Sequence, residues 1–394
     1  MTTQELIKSE SEHIMQTYGR FPVALERGSG AKLYSPEGRE YIDFTAGIGV
    51  NSMGYANEKW VAAVTKQAGK LAHTSNLFYT EPCIRLAETL TARTGLSRVF
   101  FCNSGAEANE GMIKLARKYS YDKYGRGRAT IITLHNSFHG RTITTLKATG
   151  QAHFHDYFFP FTEGFRYAMA NSMESLHAAY SRNVCAVMLE PIQGEGGVCM
   201  IDPDYVRELR EFCDERDLLL MFDEVQTGIG RTGKLFAYEH FGVTPDAVSF
   251  AKGIGGGLPI GGFICPEKTA EVLGKGQHGT TFGGNPVACA GACAVLEQLD
   301  DALLAEVTEK GNYMRSVISG WNLDCVADVR GTGLMTGVQL RSAEPGAVAA
   351  KCVENGLLML TAGSDVLRML PPLVITRGEL DQGLEILKST LEAI

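Results

Sequence analysis

The middle of the chain alternates continuously apolar, β-rich runs with helical patterns, and this alternation limits the possible folds more than any other feature. The runs are VFFC, TIITL, CAVMLEP, LLLMF, AVSF and GGFIC, between Val99 and Cys265. Because these runs are apolar throughout, both faces of the sheet that they form must be covered. Strands separated by helices need right-handed crossovers, which produce a mostly parallel sheet. We therefore predict an α/β fold whose main sheet is flanked by helices.

A change in the pattern of apolar residues near residue 290 predicts a second, smaller domain. Beyond that point, helical segments give way to the alternating stretch DVRGTGLMTGVQL and then to a final helical pattern. We expect a large domain over residues 51–290 and a small α+β domain over residues 291–394. Residues 1–50 carry turn signals and the short strand YIDF, and we expect them to pack with the small domain.

Composition and charge exclude several classes of protein. With 394 residues, of which 44% are hydrophobic, the chain is long enough to bury a large core. A net charge of −8 gives no basic footprint for nucleic acid, and no apolar run is long enough to span a membrane. The first residues hold glutamates and lack the apolar core of a secretory signal. The ten cysteines form no CxxC pair, as is usual for reduced thiols, so we expect a cytoplasmic enzyme.

The ends of the apolar runs supply the candidate functional residues. In parallel sheets the ligand lies beyond the carboxyl ends of the strands, so the residue that follows each run is a candidate. These residues include Asn103, Ser104, His135, Glu190, Asp223 and Lys252.

Lys252 and Asp223 suggest one chemistry when they are taken together. Lys252 opens the glycine-rich stretch GIGGGLPIGG, whose small residues leave room for a flat ligand. Burial would lower the pKa of its amine, as a Schiff-base lysine requires. Asp223 on a neighbouring strand can pair with a protonated pyridine nitrogen. The alternative for each residue alone, a turn cap for Asp223 and a solvated amine for Lys252, stays open.

The stretch DEVQTGIGRTGK also contains two nucleotide-binding patterns. GIGRTG fits the dinucleotide fingerprint, but DEVQT separates it from its strand. The fingerprint also needs a second strand that ends in an acidic residue about twenty residues further on, and the sequence has none at that distance. GIGRTGK resembles a P-loop, but Leu235 stands where a hydroxyl would hold magnesium. A nucleotide-binding oxidoreductase or ATPase is therefore the rival from another class, and we expect these glycines to form a loop.

A phosphate-bearing cofactor would find an anion site in FFCNSGAEANEG. This stretch predicts a strand, a turn at Ser104-Gly105, and a helix from about Ala106 to Tyr121, whose amino-terminal amides and dipole favour an anion. The spacing of Ser104 and Glu107 equally fits a capping box.

Three further side chains have both a functional and a structural interpretation. Phe138 can stack on a ring or lie in the core, and Arg141 can hold a carboxylate or lie free on the surface. Arg368, inside the apolar pattern VLRMLPPL, needs an acidic partner or an acidic ligand. The pair His135-x-x-x-His139 lacks a third ligand, so we expect no metal site.

Together these motifs resemble the class III, pyridoxal-phosphate-dependent aminotransferases of fold type I. The matching stretches are NSGAEANE, SFHGRT, LEPIQGEGG, MFDEVQTGIGRTG, SFAKGIGGG, GTTFGGNP and LRMLPPL, in the order of the family and over nearly the whole chain. The resemblance implies a mostly parallel seven-stranded sheet, a homodimer, and pyridoxal 5′-phosphate as cofactor.

The resemblance also implies a role for each matching residue. Lys252 would form the Schiff base with the cofactor and shuttle a proton, and Asp223 would hold the pyridinium nitrogen. Gln226 would contact the phenolic oxygen, with Phe138 and Val225 on the two faces of the ring. The phosphate would be bound by Ser104, Gly105 and Ala106, and by Thr281 of the partner subunit.

The implied reaction transfers nitrogen from an amine donor to 2-oxoglutarate. Arg141 and Arg368 would hold the two carboxylates of the acceptor. In members that act on ω-amino acids, the acid matching Glu195 masks the arginine matching Arg368 while the donor is bound. Since both partners are present, we expect a donor with a terminal amine.

Within the class, NSGAEANE, HTSNLFYTEP and LLMLTAGSDVLRMLPPL resemble the branch that acts on N2-acetylornithine. Ile48 stands where ornithine aminotransferases usually place a tyrosine, and an aliphatic side chain suits an acylated amine. Tyr18 would contact the carboxylate end of the donor. Ornithine, succinylornithine and 4-aminobutyrate stay open as donors. One stretch departs from the family: GYANE, from Gly54 to Glu58, replaces the usual GHxHP, and we expect it to lie away from the cofactor.

Overall fold

A seven-stranded sheet lies at the centre of the computed structural model, which describes residues 1–393. The strands are β1 (Arg27–Ser29), β2 (Lys32–Tyr34), β3 (Glu40–Asp43), β4 (Arg98–Cys102), β5 (Thr130–Leu134), β6 (Phe165–Ala168), β7 (Val184–Leu189), β8 (Ile192–Gln193), β9 (Cys199–Met200), β10 (Leu219–Asp223), β11 (Ala247–Phe250), β12 (Gly261–Cys265), β13 (Val326–Thr332), β14 (Met335–Leu340), β15 (Leu357–Leu358), β16 (Leu360–Ala362) and β17 (Val366–Met369).

The helices are α1 (Thr3–His13), the short turn α2 (Ala46–Gly49), α3 (Glu58–Ala68), α4 (Glu81–Thr94), α5 (Gly105–Tyr124), α6 (Ile143–Ala148), α7 (Met173–Ala179), α8 (Pro203–Glu215), α9 (Glu267–Ala270), α10 (Pro286–Gln298), α11 (Asp301–Gly320), α12 (Pro345–Glu354) and α13 (Arg377–Glu392). Short 3₁₀ helices occupy Ala152–His155, Ala237–His240 and Lys252–Gly255. Within residues 1–393 no helix is both long and apolar enough to cross a membrane.

The central sheet has the strand order β4-β12-β11-β10-β7-β5-β6. Neighbouring strands from β11 to β6 are parallel, whereas β12 runs antiparallel to both β11 and β4. Every residue of β7 and β10 is buried, as apolar runs covered on both faces should be. The predicted α/β fold with a mostly parallel sheet is confirmed.

The helices that cover the sheet begin and end at recognisable signals. The cap of α5 is Ser104, whose hydroxyl accepts a hydrogen bond from Glu107 N, and the helix continues to Tyr124, three residues beyond the predicted end. Gly125 then stops it with a φ of 73°. At α8 the side chain of Asp202 caps the first turn and proline follows directly, as the sequence predicts.

Two four-stranded sheets lie outside the central one, and one of them joins strands from the two ends of the chain. The stretch DVRGTGLMTGVQL forms the antiparallel hairpin of β13 and β14, inside a sheet of order β13-β14-β17-β16. Strands β1 to β3 form another sheet with β15, where Ile42 pairs with Leu357. The first residues of the chain therefore join a strand from beyond residue 291. The division of the chain at residues 50 and 290 stays a prediction.

Candidate active site

A cavity of about 420 Å³ opens at the carboxyl ends of β4, β7, β10 and β11. Five strand-end candidates line it: Asn103, Ser104, Glu190, Asp223 and Lys252. The sixth, His135, lines a neighbouring cavity together with Glu195. Since parallel strands bring their carboxyl ends to one edge, the sheet alone accounts for this convergence.

Asp223 and Lys252 are brought together by the register of β10 and β11. Asp223 ends β10 and pairs with Ser249, and Lys252 follows three positions later, just past the end of β11. Both side chains line the same cavity, which is the pairing that the sequence predicts.

The carboxylate of Asp223 is buried and surrounded by hydrogen-bond donors. Its Oδ2 accepts from Asn109 Nδ2 at 2.7 Å and lies 2.8 Å from His139 Nδ1. Its Oδ1 accepts from Val225 N at 3.0 Å and from the Ser249 hydroxyl at 3.4 Å. Burial alone would raise the pKa of Asp223, but the His139 contact and the other donors lower it below its ordinary value. These donors therefore favour the ionised form of the carboxylate at the base of the cavity.

Asn109 and His139 are the functional neighbours that the sequence reasoning missed. Asn109 lies one helical turn after Gly105 on α5, and its amide also donates to His139 O at 2.8 Å. Both side chains are buried, and both line the cavity. The sequence does carry a signal for Asn109. It lies four residues after Gly105, so on a helix it shares the face of the candidate anion site that packs on the sheet. His139 was weighed only as a metal ligand. Within residues 1–393 no group of three or more His, Cys, Asp or Glu residues is arranged to hold a metal.

The two adjacent acids of DEVQTG face different surroundings. Glu224 points away from the cavity and accepts from Ala237 N and Tyr238 N, each at 2.6 Å, and from the Thr227 hydroxyl at 2.9 Å. Burial raises the pKa of Glu224 to about 7. Asp223 therefore provides charge for the cavity, whereas Glu224 fixes the loop that follows β10.

GIGRTGK forms turns, as the sequence predicts, and it docks against the carboxyl-terminal part of the chain. The buried guanidinium of Arg231 donates to Leu334 O at 3.0 Å and to Pro371 O at 2.6 Å. A methyl group at Gly233 would come within 2.1 Å of the Thr308 hydroxyl, so this glycine serves packing. The stretch has no helix amino terminus of the kind a P-loop needs.

Lys252 is held in an unusual backbone conformation at the rim of the sheet. Its φ is 47°, in the left-handed region that non-glycine residues seldom adopt, and such strain is concentrated at functional sites. Burial lowers the pKa of its amine, and Arg368 lowers it further, although Glu195 and Asp223 oppose the shift. A lysine of this kind is a better nucleophile than a solvated one.

The amino terminus of α5 provides an anion cradle at the opposite wall. The amides of Gly105 and Ala106 precede the first intrahelical bond of α5, from Ala108 N to Ser104 O at 3.1 Å, and so remain available to a ligand. A methyl group at Gly105 would lie 2.6 Å from Val225 Cγ1, so only glycine leaves this approach open. Ser104 also caps the helix, with Glu107 N donating to Ser104 Oγ at 3.2 Å. The reciprocal half of a capping box is not formed, because the Glu107 carboxylate accepts from Asn103 N at 2.7 Å instead. The helix cap and an anion site at the free amides are thus compatible.

Phe138, Val225 and Arg141 form further walls of the cavity. The amide of Phe138 donates to Glu190 Oε2 at 2.9 Å, which fixes the position of the ring. The exposed guanidinium of Arg141 lies 4.3 Å from the ring centre of Phe154 and 5.6 Å from that of Phe138. Burial and the charge of Asp223 raise the pKa of Glu190 well above its ordinary value.

Arg368 and Glu195 form an ion pair behind the cavity. Arg368 Nη1 lies 2.7 Å from Glu195 Oε1 and 3.2 Å from Gln226 Oε1. Arg368 is buried in β17, where an apolar pattern leaves it no solvent, and its Nε has no partner among residues 1–393. Of these three residues only Gln226 lines the cavity, so it connects the pair to the site.

Besides Glu195 and Arg368, three predicted site residues do not line the cavity of their own chain: Tyr18, Ile48 and Thr281. Tyr18 is largely exposed and lies beneath the guanidinium of Arg20. Ile48 lies two positions before Val50, which does line the cavity. Thr281 is exposed beside Thr280, whose hydroxyl accepts from Asn103 Nδ2 at 3.1 Å.

These residues fit the cofactor that the resemblance implies. A ring with a protonated nitrogen, an aldehyde and a phosphate needs an anion, an amine and an anion cradle. Asp223 is the anion, Lys252 is the amine of lowered pKa, and the open amides beside Gly105 form the cradle.

Comparison with known proteins agrees with this geometry. The family profile described as "Aminotransferase class-III" matches residues 14–391. Acetylornithine aminotransferase of Haemophilus ducreyi is 51% identical over 99% of each chain, and that of Methanocaldococcus jannaschii is 45% identical over 97% of this chain and 96% of its own. N-acetylornithine aminotransferase of Stenotrophomonas maltophilia has a TM-score of 0.85 with 40% identity over 98% of each chain. Ornithine aminotransferase of Toxoplasma gondii has a TM-score of 0.96 with 33% identity, covering all of this chain and 96% of that one.

Proposed function

The chain belongs to the class-III aminotransferases, and on that premise we propose that it moves the terminal amine of N2-acetylornithine to 2-oxoglutarate. The products would be N-acetylglutamate 5-semialdehyde and glutamate, a step of arginine biosynthesis. The family depends on pyridoxal 5′-phosphate. The observation that carries the proposal is the pairing of Lys252 with the anionic Asp223 in one cavity, in a chain 42–51% identical to acetylornithine aminotransferases.

When bound, the cofactor supplies an electron sink that stabilises negative charge on the carbon bearing the amine. The side chains of the cavity would bind the cofactor, move the proton and exclude water. Asp223 would hold the ring nitrogen protonated, because the contacts with His139 and Asn109 favour its ionised carboxylate. Lys252 would hold the aldehyde and carry the proton, since burial lowers the pKa of its amine and so increases the share of the free base. Phe138 and Val225 line the cavity and would enclose the ring and exclude water from it.

The acceptor needs two cationic groups, and we infer that Arg141 and Arg368 supply them. Arg141 is exposed at the cavity wall, whereas Arg368 is occupied by Glu195 at 2.7 Å. A pair that can open for the acceptor and stay closed for the donor keeps the α-carboxylate of the donor away from Arg368. The donor must then enter with its terminal amine first, which is the amine that the proposed reaction transfers.

A homodimer completes the proposal. Thr281 is exposed on a loop that Asn76 fixes through hydrogen bonds to Thr280 O at 3.3 Å and Gly283 O at 3.0 Å. Large apolar side chains lie exposed beside this loop: Leu77, Phe78, Tyr79 and Phe282. Such a patch favours burial against a second copy, and Thr281 would then reach the phosphate in the partner's cavity. We place the dimer in the cytoplasm.

The experiment is a donor comparison with 2-oxoglutarate as acceptor. Purified enzyme loaded with cofactor is assayed with acetylornithine, ornithine, succinylornithine and 4-aminobutyrate, and kcat/KM is compared. We expect acetylornithine to rank first, or level with succinylornithine, which shares the acylated amine. A first rank for ornithine or 4-aminobutyrate would overturn the assignment of the donor. Absence of a yellow, borohydride-sensitive chromophore at Lys252 would overturn the assignment of the cofactor.

Ornithine is the second candidate donor, because the chain superimposes on an ornithine aminotransferase with a TM-score of 0.96. Overall shape does not select the donor in this family, since the acetylornithine enzyme from Stenotrophomonas also matches along the whole chain. Sequence identity and the aliphatic Ile48 favour acetylornithine.

A further inference from the structure

The turn α2, next to the cavity, is left-handed. Four consecutive residues have a positive φ: 46° at Ala46, 61° at Gly47, 65° at Ile48 and 74° at Gly49. Backbone hydrogen bonds close the turn, from Gly49 N to Thr45 O at 2.9 Å and from Val50 N to Ala46 O at 2.8 Å. A left-handed helix costs about 1–2 kcal/mol for each residue with a side chain. Ala46 and Ile48 keep this conformation only because their surroundings impose it.

The carboxylate of Asp43 holds the turn from below. Its Oδ1 accepts from Thr45 N at 2.7 Å, and its Oδ2 accepts from Ala46 N at 3.0 Å and from the Tyr55 hydroxyl at 2.8 Å. Asp43 is fully buried at the end of β3. Burial raises the pKa of Asp43, and the hydrogen bonds from Thr45, Tyr55 and Ala46 oppose that shift, so each of them carries a share of the stabilisation of the carboxylate.

Tyr55 belongs to GYANE, the stretch that departs from the family pattern and that the proposed mechanism does not use. Its backbone is pinned to Gly30, with Tyr55 N donating to Gly30 O at 2.9 Å and Gly30 N donating to Tyr55 O at 3.1 Å. A methyl group at Gly28 would lie 2.7 Å from Tyr55 Cβ, so the side chain packs tightly on that strand. Burial raises the pKa of Tyr55, and the hydroxyl therefore stays protonated and donates to Asp43.

Residues on the two sides of the turn contact both halves of the active site. The hydroxyl of Ser52 donates to Gly253 O at 2.7 Å, next to Lys252. On the other side Leu370 N donates to Phe44 O at 2.8 Å, two residues after Arg368. A change in the turn would thus displace Ile48 relative to both the lysine and the arginine.

We propose that Tyr55 is a positioning residue whose hydroxyl, acting through Asp43, sets the left-handed turn and so places Ile48 to favour an acylated donor. The proposal rests on the function proposed above, because it concerns the end of the donor that distinguishes acetylornithine from ornithine. Tyr55 itself does not line the cavity, and its effect on the donor is indirect.

The kinetic test compares Tyr55→Phe with Tyr119→Phe. Tyr119 is a matched control, since its hydroxyl also contacts an aspartate, Asp217, at 3.0 Å, before the start of β10 and at the opposite end of that strand from Asp223. In Tyr55→Phe we expect the ratio of kcat/KM for acetylornithine to that for ornithine to fall about three- to tenfold, a fraction of what a charged hydrogen bond contributes. The control should leave the ratio unchanged. An equal loss with both donors would indicate a merely structural role and would overturn the proposal.

A double-mutant cycle tests the route through Ile48. Ile48→Gly removes the side chain and suits a positive φ, so adding Tyr55→Phe to it should not change the ratio of the two donors any further. If Tyr55→Phe shifts the ratio by the same factor in both backgrounds, the effect does not pass through Ile48 and the proposal is wrong.

Amide hydrogen exchange gives a test that is independent of the donor. In the cofactor-loaded protein, residues 43–52 should exchange about tenfold faster in Tyr55→Phe than in the parent, and at the parental rate in Tyr119→Phe. Unchanged exchange in this segment would overturn the role of Tyr55, whichever donor is preferred. If the parent enzyme prefers ornithine, the function proposed above fails, while the exchange experiment and the shift in the ratio still decide the role of Tyr55.

Discussion

Replacing Glu195 with glutamine should open the ion pair that masks Arg368. Glutamine keeps the shape of the side chain and removes the charge that lies 2.7 Å from Arg368 Nη1. The remaining side-chain partner of that guanidinium is Gln226 Oε1, at 3.2 Å. A buried cation with a weaker set of partners should then bind the carboxylate of a substrate more strongly.

The surroundings of the pair set the size of the effect. The Arg368 side chain is only 4% exposed, and breaking a fully buried ion pair costs about 3–5 kcal/mol. The Glu195 side chain is 31% exposed, so solvent screens its charge. Screening lowers the interaction energy towards the value of a surface ion pair, about 0–1 kcal/mol. We expect about 2 kcal/mol, which would strengthen the binding of 2-oxoglutarate by about thirtyfold.

The assay is the second half-reaction, followed by the absorbance of the aminated cofactor as 2-oxoglutarate is varied. Glu195→Gln should lower the apparent dissociation constant of 2-oxoglutarate while reducing kcat/KM for acetylornithine, whose α-carboxylate can now reach Arg368. Glu271→Gln is the matched control, because Glu271 also pairs with an arginine, Arg98, at 2.9 Å, but at an exposed site. An unchanged constant for 2-oxoglutarate in Glu195→Gln would refute the masking role.

Three further changes test other parts of the site. Lys252→Ala should abolish transamination while circular dichroism and thermal unfolding stay close to the parent, and measurable turnover would contradict the role of the lysine. Arg141→Gln should raise KM for 2-oxoglutarate about 10- to 100-fold through loss of a charged contact, and an unchanged KM would argue against it. Burial raises the pKa of Glu224 to about 7 from its ordinary 4.5, so the unfolded chain releases this proton first as pH rises and stability falls between those values by about 3 kcal/mol. In urea unfolding, Glu224→Gln should therefore gain stability relative to the parent from pH 5 to pH 8, and a constant difference between the two proteins would contradict the raised pKa.

Apolar runs and strand ends made much of the fold and the centre of the site predictable. LLLMF and AVSF become adjacent buried strands, and the rule that parallel strands end at one edge brings Asp223 and Lys252 together. The direction of β12 was not predictable in this way. GGFIC is as apolar as its neighbours, and a buried strand has the same pattern whichever way it runs.

Features that depend on tertiary contacts were beyond the sequence reasoning. His135 and His139 have the spacing of a metal pair on a helix, but the chain between them turns at Asn136, with a φ of 64°. The turn leaves His135 exposed and directs His139 towards Asp223. The positive φ of Ile48 runs against the preference of a β-branched residue, and it belongs to a turn that backbone hydrogen bonds close and that Asp43 holds at Thr45 N. The roles given to Tyr18, Ile48 and Thr281 stay predictions.

The reversed direction of β12 has a consequence for how this enzyme can vary among lineages. Phe250 at the end of β11 pairs with Gly262 near the start of β12. The loop between them, which carries Lys252, therefore joins two neighbouring antiparallel strands and needs no crossover helix. Insertions in it would displace residues 257–260, which line the cavity, and deletions would pull the lysine off the rim. We expect loop length to drift freely elsewhere on the molecule while this segment keeps a constant number of residues.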